Sequence, residues 1–320
     1  MHRLLPFRLL LLLLLGLSSN LAALERFDFS VDQVEAQWHT LTGGMRGPFP
    51  TAKALKEEAA RYPALLAETL SVLEKSRDNP RLEGLDFQLS ENDYRIISTI
   101  VAEAWTALFN GDFEKAYQLG QLVGPPGLFP GLYARALQAQ YLESDEDNKE
   151  RLLKEVMNET ARLLEKQPEH GFARFGNAYA KSRLLEPMGA LAARRTGYME
   201  EVQEALDELL RDDPDNVYAL SLQGGLYSGI IDKAGSWLAR RRFGVEEEMV
   251  DQVFKRAMAI NDGFAAPMLE YAIAMQRVWG SERQQQIDAL LSQAANVEPV
   301  SAEEALVVKK AKQLADQANL

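Results

Sequence analysis

The sequence predicts an all-helical fold built from repeated helix pairs, and two observations lead to this prediction. Apolar residues recur at intervals of three and four along most of the chain, without the sustained alternation that is typical of strands. A seven-residue signature also occurs twice, as LAARRTG from Leu191 to Gly197 and as LARRRFG from Leu238 to Gly244. The offset of 47 residues between the two copies indicates a repeated structural unit.

The apolar periodicity predicts helices throughout the chain, separated by turn-forming residues. Gly43 to Pro50, Asp78 to Pro80 and Gly124 to Gly127 are clusters of Gly, Pro, Asp and Asn that interrupt helices. The predicted helices lie near residues 31–41, 51–77, 91–110, 113–123, 128–143, 147–166, 171–185, 188–196, 198–211, 217–242, 246–260, 264–279, 281–295 and 301–318.

The repeated unit extends beyond the signature. The segment KQPEHGFA around Pro168 returns as DDPDNVYA around Pro214, at an offset of 46 residues. The apolar stripe that contains Val202 and Leu206 is repeated at an offset of 48 residues by Val250 and Phe254. Helices that cannot bury such stripes alone stack on their neighbours, so these units predict a solenoid, a superhelical array or a ring.

Residues at fixed places in these units resemble the tetratricopeptide repeat. Gly224 and Tyr227 fit the small and aromatic positions of its first helix, and the segment from Ala104 to Ala116 has its Gly and aromatic positions in order. The resemblance covers roughly residues 91–280, and the units of 46 to 48 residues are longer than the ~34 of that family. An exported chain of this kind is also similar to the T-component proteins of TRAP uptake systems. That similarity implies an accessory role in small-molecule uptake.

The N-terminal segment resembles a secretory signal peptide. Basic residues at Arg3 and Arg8 precede the apolar stretch from Leu9 to Leu17 and a small, polar exit that ends at Ala23. A membrane anchor is the alternative, but a span needs roughly 20 apolar residues and polar residues interrupt this stretch. We therefore predict a signal peptide at 1–23 that is cleaved near Ala23, an N-terminal helical segment at 24–90 and a repeat domain at 91–320. The mature protein would be periplasmic, without a membrane span.

Composition excludes several classes of function. The chain contains no cysteine, which rules out disulfides, thiolate metal sites and a lipid-carrying cysteine. The formal net charge of −12 argues against nucleic acid as a partner, because phosphate binding depends on clustered Lys and Arg. A single elongated array fits 320 residues better than two globular domains, because a solenoid extends without a new core.

The arginines of the signature are the first candidate binding residues. The first copy supplies Arg194 and Arg195, and the second supplies Arg241 and Arg242 after Arg240. Equivalent positions of neighbouring units would bring these side chains together into a patch for a carboxylate or phosphate. A structural role is the alternative, because Arg in a last helical turn complements the helix dipole and can pair with nearby Glu.

Aromatic residues on the first helices of the pairs are the second candidate group. Such residues can line a concave surface and anchor a peptide or a small apolar ligand, although packing in the core is the alternative. Tyr227 and Trp237 are the preferred groove residues, because glycines nearby leave room for a ligand, and Tyr179 is a third candidate. The other members of the group are Phe172, Phe175, Tyr218, Phe264 and Tyr271. The Gly43 to Pro50 segment is interpreted either as a flexible lip or as a simple connector.

Signals for metal or catalytic chemistry are weak. Only His39 and His170 follow the predicted signal peptide, and the acidic run from Asp145 lacks the Gly and Glu of a calcium loop. Glu143 and Ser144 match one pair of residues found in helical cell-wall lyases, which keeps a glycan hydrolase or lyase as a remote alternative. We predict a binding or scaffold protein without enzymatic activity or cofactor, whose partner is an envelope protein or peptide. The alternative is an accessory of a TRAP-type uptake system that binds a small anionic ligand.

Overall fold

The computed structural model describes residues 26–318, and these residues confirm the all-helical prediction. They form seventeen α-helices and no β-strand. The predicted signal peptide lies outside the described residues. Within residues 26–318, none of the helices combines the length and the apolar character that a bilayer span requires.

Four short helices precede the repeated region. They are α1 (Val31–Ala36), α2 (Trp38–Thr42), α3 (Ala52–Arg61) and α4 (Leu66–Lys75). The helices that follow are α5 (Glu91–Asn110), α6 (Phe113–Val123), α7 (Pro125–Leu137), α8 (Glu146–Lys166), α9 (Gly171–Leu185), α10 (Ala190–Thr196), α11 (Tyr198–Asp212), α12 (Val217–Ala234), α13 (Ser236–Leu238), α14 (Glu247–Ile260), α15 (Ala265–Val278), α16 (Gln284–Ala295) and α17 (Ala302–Ala318).

The long helices pair in chain order. Helices α5, α7, α9, α12 and α15 are the first helices of the pairs, and each packs against a second helix, namely α6, α8, α11, α14 and α16. Consecutive first helices also contact one another, and α17 contacts both α15 and α5. The row of first helices therefore returns to its own beginning through α17.

Helix α17 joins the two main parts of the hydrophobic core. Ala302 and Leu306 belong to the cluster formed with α1 to α7, whereas Val307 and Ala311 belong to the cluster formed with α9 to α16. All four side chains are buried. This arrangement follows from a helix that is apolar on two sides, as the run from Ala305 to Val308 shows.

Left-handed glycines end several of these helices. Gly111 has a φ of 88° after α5, Gly197 has a φ of 75° after α10, and Gly244 has a φ of 66° after the π-helical turn Ala239–Phe243. A side chain with a Cβ is disfavoured in this region, which is why glycine is common there. Both glycines of the signature therefore end a helical segment.

Several predicted helices have different bounds in the structure, and three of them show the physical reason. The helix expected at 217–242 ends before Gly235, whose φ of 77° and ψ of 150° are not helical, and a π-helical turn at Ala239–Phe243 follows. The helix expected at 51–77 is interrupted at Pro63, because proline cannot donate a helical hydrogen bond. Helix α7 begins at Pro125, earlier than expected, because proline is well suited to the first position of a helix.

Candidate functional site

A pocket lies between the first helices α7, α9, α12 and α15 and is closed on one side by α17. The cavity has a volume of about 140 Å³, which is far more than one water molecule needs. Six aromatic side chains line it, and we call them the aromatic wall. They are Tyr133, Tyr141, Phe175, Tyr179, Tyr218 and Phe264.

Helix α12 contributes a row of small residues, which we call the small face. Ser221, Gly225 and Gly229 are spaced four residues apart, so they lie along one side of the helix, and all three line the pocket. A Cβ added at Gly225 or Gly229 would meet no atom within 4 Å. Packing in the described part of the chain therefore does not require glycine at these two positions.

Gly224, next to the small face, has a different role. A Cβ at this position would lie 2.4 Å from Cε2 of Phe254, a fully buried side chain of α14. Glycine is thus required here for the close approach of α12 and α14. Gly224 is therefore needed for helix packing, whereas Gly225 and Gly229 leave open space in the pocket.

A group of paired charges forms one end of the pocket, and we call it the ionic cluster. Arg183 bonds to Glu270 at 2.5 Å and to Glu186 at 2.8 Å, and Arg277 approaches the same oxygen of Glu186 at 3.2 Å. Lys233 donates from Nζ to the backbone carbonyls of Glu186 and Met188, at 3.2 and 2.7 Å. The positive side chains at this end of the pocket therefore already have acceptors.

Burial and pairing have opposite effects on the pKa of Glu186. Burial alone would raise the pKa of this carboxyl, but attraction to Arg183 and Arg277 outweighs burial and lowers it. Burial would lower the pKa of Arg183, but attraction to Glu270, and after it to Tyr179 and Glu186, raises this pKa well above its usual value. Both groups therefore remain charged at neutral pH.

Arg46 connects the Gly43 to Pro50 segment to the pocket. Its guanidinium carbon lies 4.1 Å from the ring centre of Tyr133 and 4.9 Å from that of Tyr218. Its Nη2 donates to Glu303 at 3.2 Å, and the side chain is only 6% exposed. Tyr133 donates its hydroxyl to the same carboxylate. Glu303 of α17 is therefore held by partners from an early loop and from α7.

Two buried polar atoms of pocket-lining residues have no hydrogen-bond partner among residues 26–318. They are Oγ of Ser221 on the small face and Nε of Arg183 in the ionic cluster. Buried polar atoms usually have partners, so these two atoms mark hydrogen-bonding capacity that the free protein leaves unused in residues of the pocket lining.

The three aromatic residues predicted as groove residues lie in three different environments. Tyr179 lines the pocket, and its ring lies 5.0 Å from the guanidinium carbon of Arg183. Tyr227 is 5% exposed in the hydrophobic core and does not line the pocket, so the core-packing alternative describes it better. Trp237 is 72% exposed on α13, outside the pocket.

The signature arginines also lie outside the pocket. Arg194 and Arg195 are exposed at the end of α10, and neither approaches an acidic side chain within ion-pair distance in the described part of the chain. Arg241 lies over the Trp237 ring at 5.5 Å, and Arg242 approaches Glu200 at 3.4 Å. Leu191, Leu238 and Arg240 of the two signature copies are also exposed, and we call the exposed residues of both copies, with Trp237, the signature edge.

Several pocket residues were not candidates from the sequence. Tyr133 and Tyr141 belong to α7 and to the π-helical turn that follows it, in a unit without the signature. Arg183 and Glu270 are charged residues inside first helices and resemble ordinary surface positions in the sequence. The available signal was the spacing of Ser221, Gly225 and Gly229, whose four-residue interval indicates one face of a helix.

The residues considered for catalysis or metal binding lie elsewhere. Glu143 accepts hydrogen bonds from the backbone N–H groups of Ser144 and Asp145 and does not line the pocket. Asp145 accepts from the backbone N–H of Asn148 as the N-cap of α8. In the described range, no group of three or more His, Asp or Glu side chains is arranged to hold a metal ion.

No model of a protein family matches this chain. No curated protein matches its sequence.

Proposed function

We propose that this chain is an exported, non-enzymatic binding protein of the tetratricopeptide type that holds a small organic ligand in the pocket between its first helices. The observation that carries the proposal is that the small face of α12 leaves open space in the pocket that the aromatic wall also lines. A concave, largely apolar site with a few polar groups is the usual form of a small-molecule site.

The two glycines of the small face support a ligand-binding role. Glycine inside a helix is less stable than alanine by ~1 kcal/mol, because it loses more backbone freedom on folding. At Gly225 and Gly229 a Cβ has room, so no contact in the free protein offsets this cost. Space that is kept open at the expense of stability is expected where a ligand must enter.

The repeat architecture and the periplasmic location are parts of the same proposal. The stripes aligned at an offset of 48 residues are buried in equivalent second helices, as Val202 and Leu206 in α11 and as Val250 and Phe254 in α14. A pocketed array of this kind suits an accessory of a TRAP-type uptake system. The low pKa of Glu186 suits binding better than catalysis, because a general acid needs a raised pKa.

Native mass spectrometry of the protein purified from cell envelope tests this proposal. The wild type should retain a small molecule that gentle heating or solvent removes. The variant Gly225→Phe should lose it, because the added ring fills the space above the small face. Trp237→Ala is the control, because it truncates a large exposed side chain outside the pocket and should retain the molecule. Equal retention by Gly225→Phe and wild type would contradict the proposal.

Binding of an envelope protein or peptide is a second candidate function, and the signature edge favours it. Trp237 is 72% exposed and Leu191 is 63% exposed, which is unusual for large apolar side chains. Exposed Trp and Arg are the residues that most often dominate protein interfaces. A pull-down from envelope extract should lose its partner when Arg194→Glu and Arg241→Glu are combined. Recovery of the same partner by this variant would contradict binding of the partner at the signature edge.

A further inference from the structure

We infer that the ligand is an uncharged amphiphile, with an apolar body along the small face and one hydrogen-bonding head at the ionic cluster. The head would be a hydroxyl, carbonyl or amide group. This inference rests on the proposed small-molecule function and adds the chemical class of the ligand to it.

The charges around the pocket balance. The lining carries three positive side chains, Arg183, Lys233 and Arg277, and Arg46 adds a fourth through its pair with Glu303. The four negative side chains are Glu186, Asp232, Glu270 and Glu303. A ligand with a net charge would therefore leave the occupied pocket unbalanced.

The pairing within the ionic cluster strengthens this argument. A carboxylate ligand could reach Arg183 only beside Glu186 and Glu270, or by displacing one of them. Like charges brought together away from water are strongly unfavourable, and so is a buried acid that has lost its partner. A cationic ligand would likewise bring a positive charge close to Arg183 and Arg277, or would displace one of them from its acidic partner. A neutral head avoids both costs.

The unpartnered donor in the ionic cluster favours a head that carries an oxygen. Nε of Arg183 can only donate a hydrogen bond, whereas Ser221 lies at the opposite end of the small face. Burial also raises the pKa of Tyr141 and of Tyr179, so both phenols keep their protons. A neutral oxygen accepts from any of these groups without adding charge.

The length of the small face indicates the length of the ligand's apolar body. Ser221 and Gly229 are eight residues apart, which corresponds to about 12 Å along a helix. The small face lines the same pocket as the rings of the aromatic wall, together with Leu222, Leu226 and Ile230 of α12. An extended alkyl chain or a planar ring system of about this length fits along such a lining.

Three probes with the same tail and different heads test the class of ligand. Decanol is neutral, decanoate is anionic and decyltrimethylammonium is cationic. Each would displace a neutral fluorescent lipophile, N-phenylnaphthylamine, from the protein after its bound molecules have been removed. We expect decanol to bind at least about tenfold more tightly than either charged probe, since one unbalanced buried charge costs at least that much.

A charge variant gives the matched control. Glu270→Gln removes one negative charge from the ionic cluster but keeps the shape of the side chain and its carbonyl acceptor for Arg183. The preference for decanol over decanoate should then fall by about tenfold or reverse. Unchanged preference in this variant would mean that the ionic cluster does not select the head, which overturns the inference.

The outcomes distinguish a failure of the uncharged ligand class from a failure of the small-molecule function. Tightest binding of decanoate or of decyltrimethylammonium to the wild type, abolished by Gly225→Phe, would overturn the uncharged class and leave the small-molecule function in place. Gly229→Leu is a second filling variant in case Gly225→Phe does not fold. Failure of the wild type to bind any of the probes, or equal binding by the wild type and a folded filling variant, would overturn both.

Discussion

The guanidinium carbon of Arg46 lies 4.1 Å from the ring centre of Tyr133, although the two residues belong to separate parts of the chain. Arg46 comes from the glycine-rich segment before α3, and Tyr133 comes from α7 in the repeated region. Glu303 of α17 bonds to both side chains. This contact therefore ties the N-terminal segment to α7 in the row of first helices and to α17, which closes that row. In the free protein it gives Gly43 to Pro50 a packing role beyond that of a simple connector.

Replacing Arg46 should destabilise the protein strongly. Arg46→Met leaves Glu303, which is 13% exposed, without its positive partner. Breaking a buried ion pair by removing one side typically costs ~3–5 kcal/mol of the free energy of unfolding. Urea unfolding followed by circular dichroism measures the change.

An exposed ion pair supplies the control for Arg46→Met. Arg77 and Glu74 are 57% and 50% exposed and bond at 2.7 Å, so Arg77→Met should cost at most about 1 kcal/mol. Equal losses from Arg46→Met and Arg77→Met would contradict the structural role assigned to Arg46.

Neighbouring glycines of α12 should respond to alanine in opposite directions. Gly225→Ala should raise the free energy of unfolding by about 0.5–1 kcal/mol, because alanine is the better helix former and its Cβ has room. Gly224→Ala should lower it by about 1–3 kcal/mol, because the Cβ would overlap the Phe254 ring. Thermal unfolding of the ligand-free variants measures both effects. A loss of stability in Gly225→Ala would show that this glycine has a packing role after all.

Local signals in the sequence predicted the helices well. Helix α6 begins at Phe113 and ends at Val123 as predicted, because a left-handed Gly111 precedes it and Gly124 follows it. Turn residues act over a few positions, so they can be recognised without knowledge of the tertiary structure. The interruption at Gly235 was missed because the apolar pattern continues through it.

The pocket could be predicted only in part. Tyr179 and the glycines of α12 were recognisable because first helices line the inner side of such arrays, and glycine leaves space. The contact between Arg46 and Glu303 joins residues 257 positions apart, and no local pattern indicates such a pair. Tyr227 was misjudged because a tyrosine that packs in the core and one that lines a pocket have the same helical spacing.

The signature arginines should be unimportant for stability. Arg194 is exposed without an acidic partner among the described residues, and Arg241 is exposed and lies over the ring of Trp237. Combining Arg194→Glu with Arg241→Glu should therefore change the free energy of unfolding by no more than about 0.5–1 kcal/mol. Differential scanning calorimetry checks this, and a much larger loss would support a helix-capping role for these arginines.

High pH should unfold the protein through its buried tyrosines. Burial raises the pKa of eight tyrosines, and that of Tyr218 reaches about 12, against about 10 for a free phenol. The eight are Tyr94, Tyr117, Tyr133, Tyr141, Tyr179, Tyr218, Tyr227 and Tyr271. Because the folded chain holds these protons more tightly than the unfolded chain, their contribution to stability is complete below about pH 10 and is lost as the pH rises toward the folded values.

Absorbance of phenolate and circular dichroism, recorded together during an alkaline titration, measure this effect. Ten free tyrosines would be about half ionised near pH 10. The phenolate absorbance of the folded protein should be well below that level, because most of its phenols are still protonated. It should then rise in the same step in which helical signal is lost, since unfolding releases the remaining protons. Tyr218→Phe removes one raised pKa together with one acceptor for Arg46, so the step should become smaller by one tyrosine. A smooth titration centred near pH 10 with the helices intact would mean that the aromatic wall is open to water.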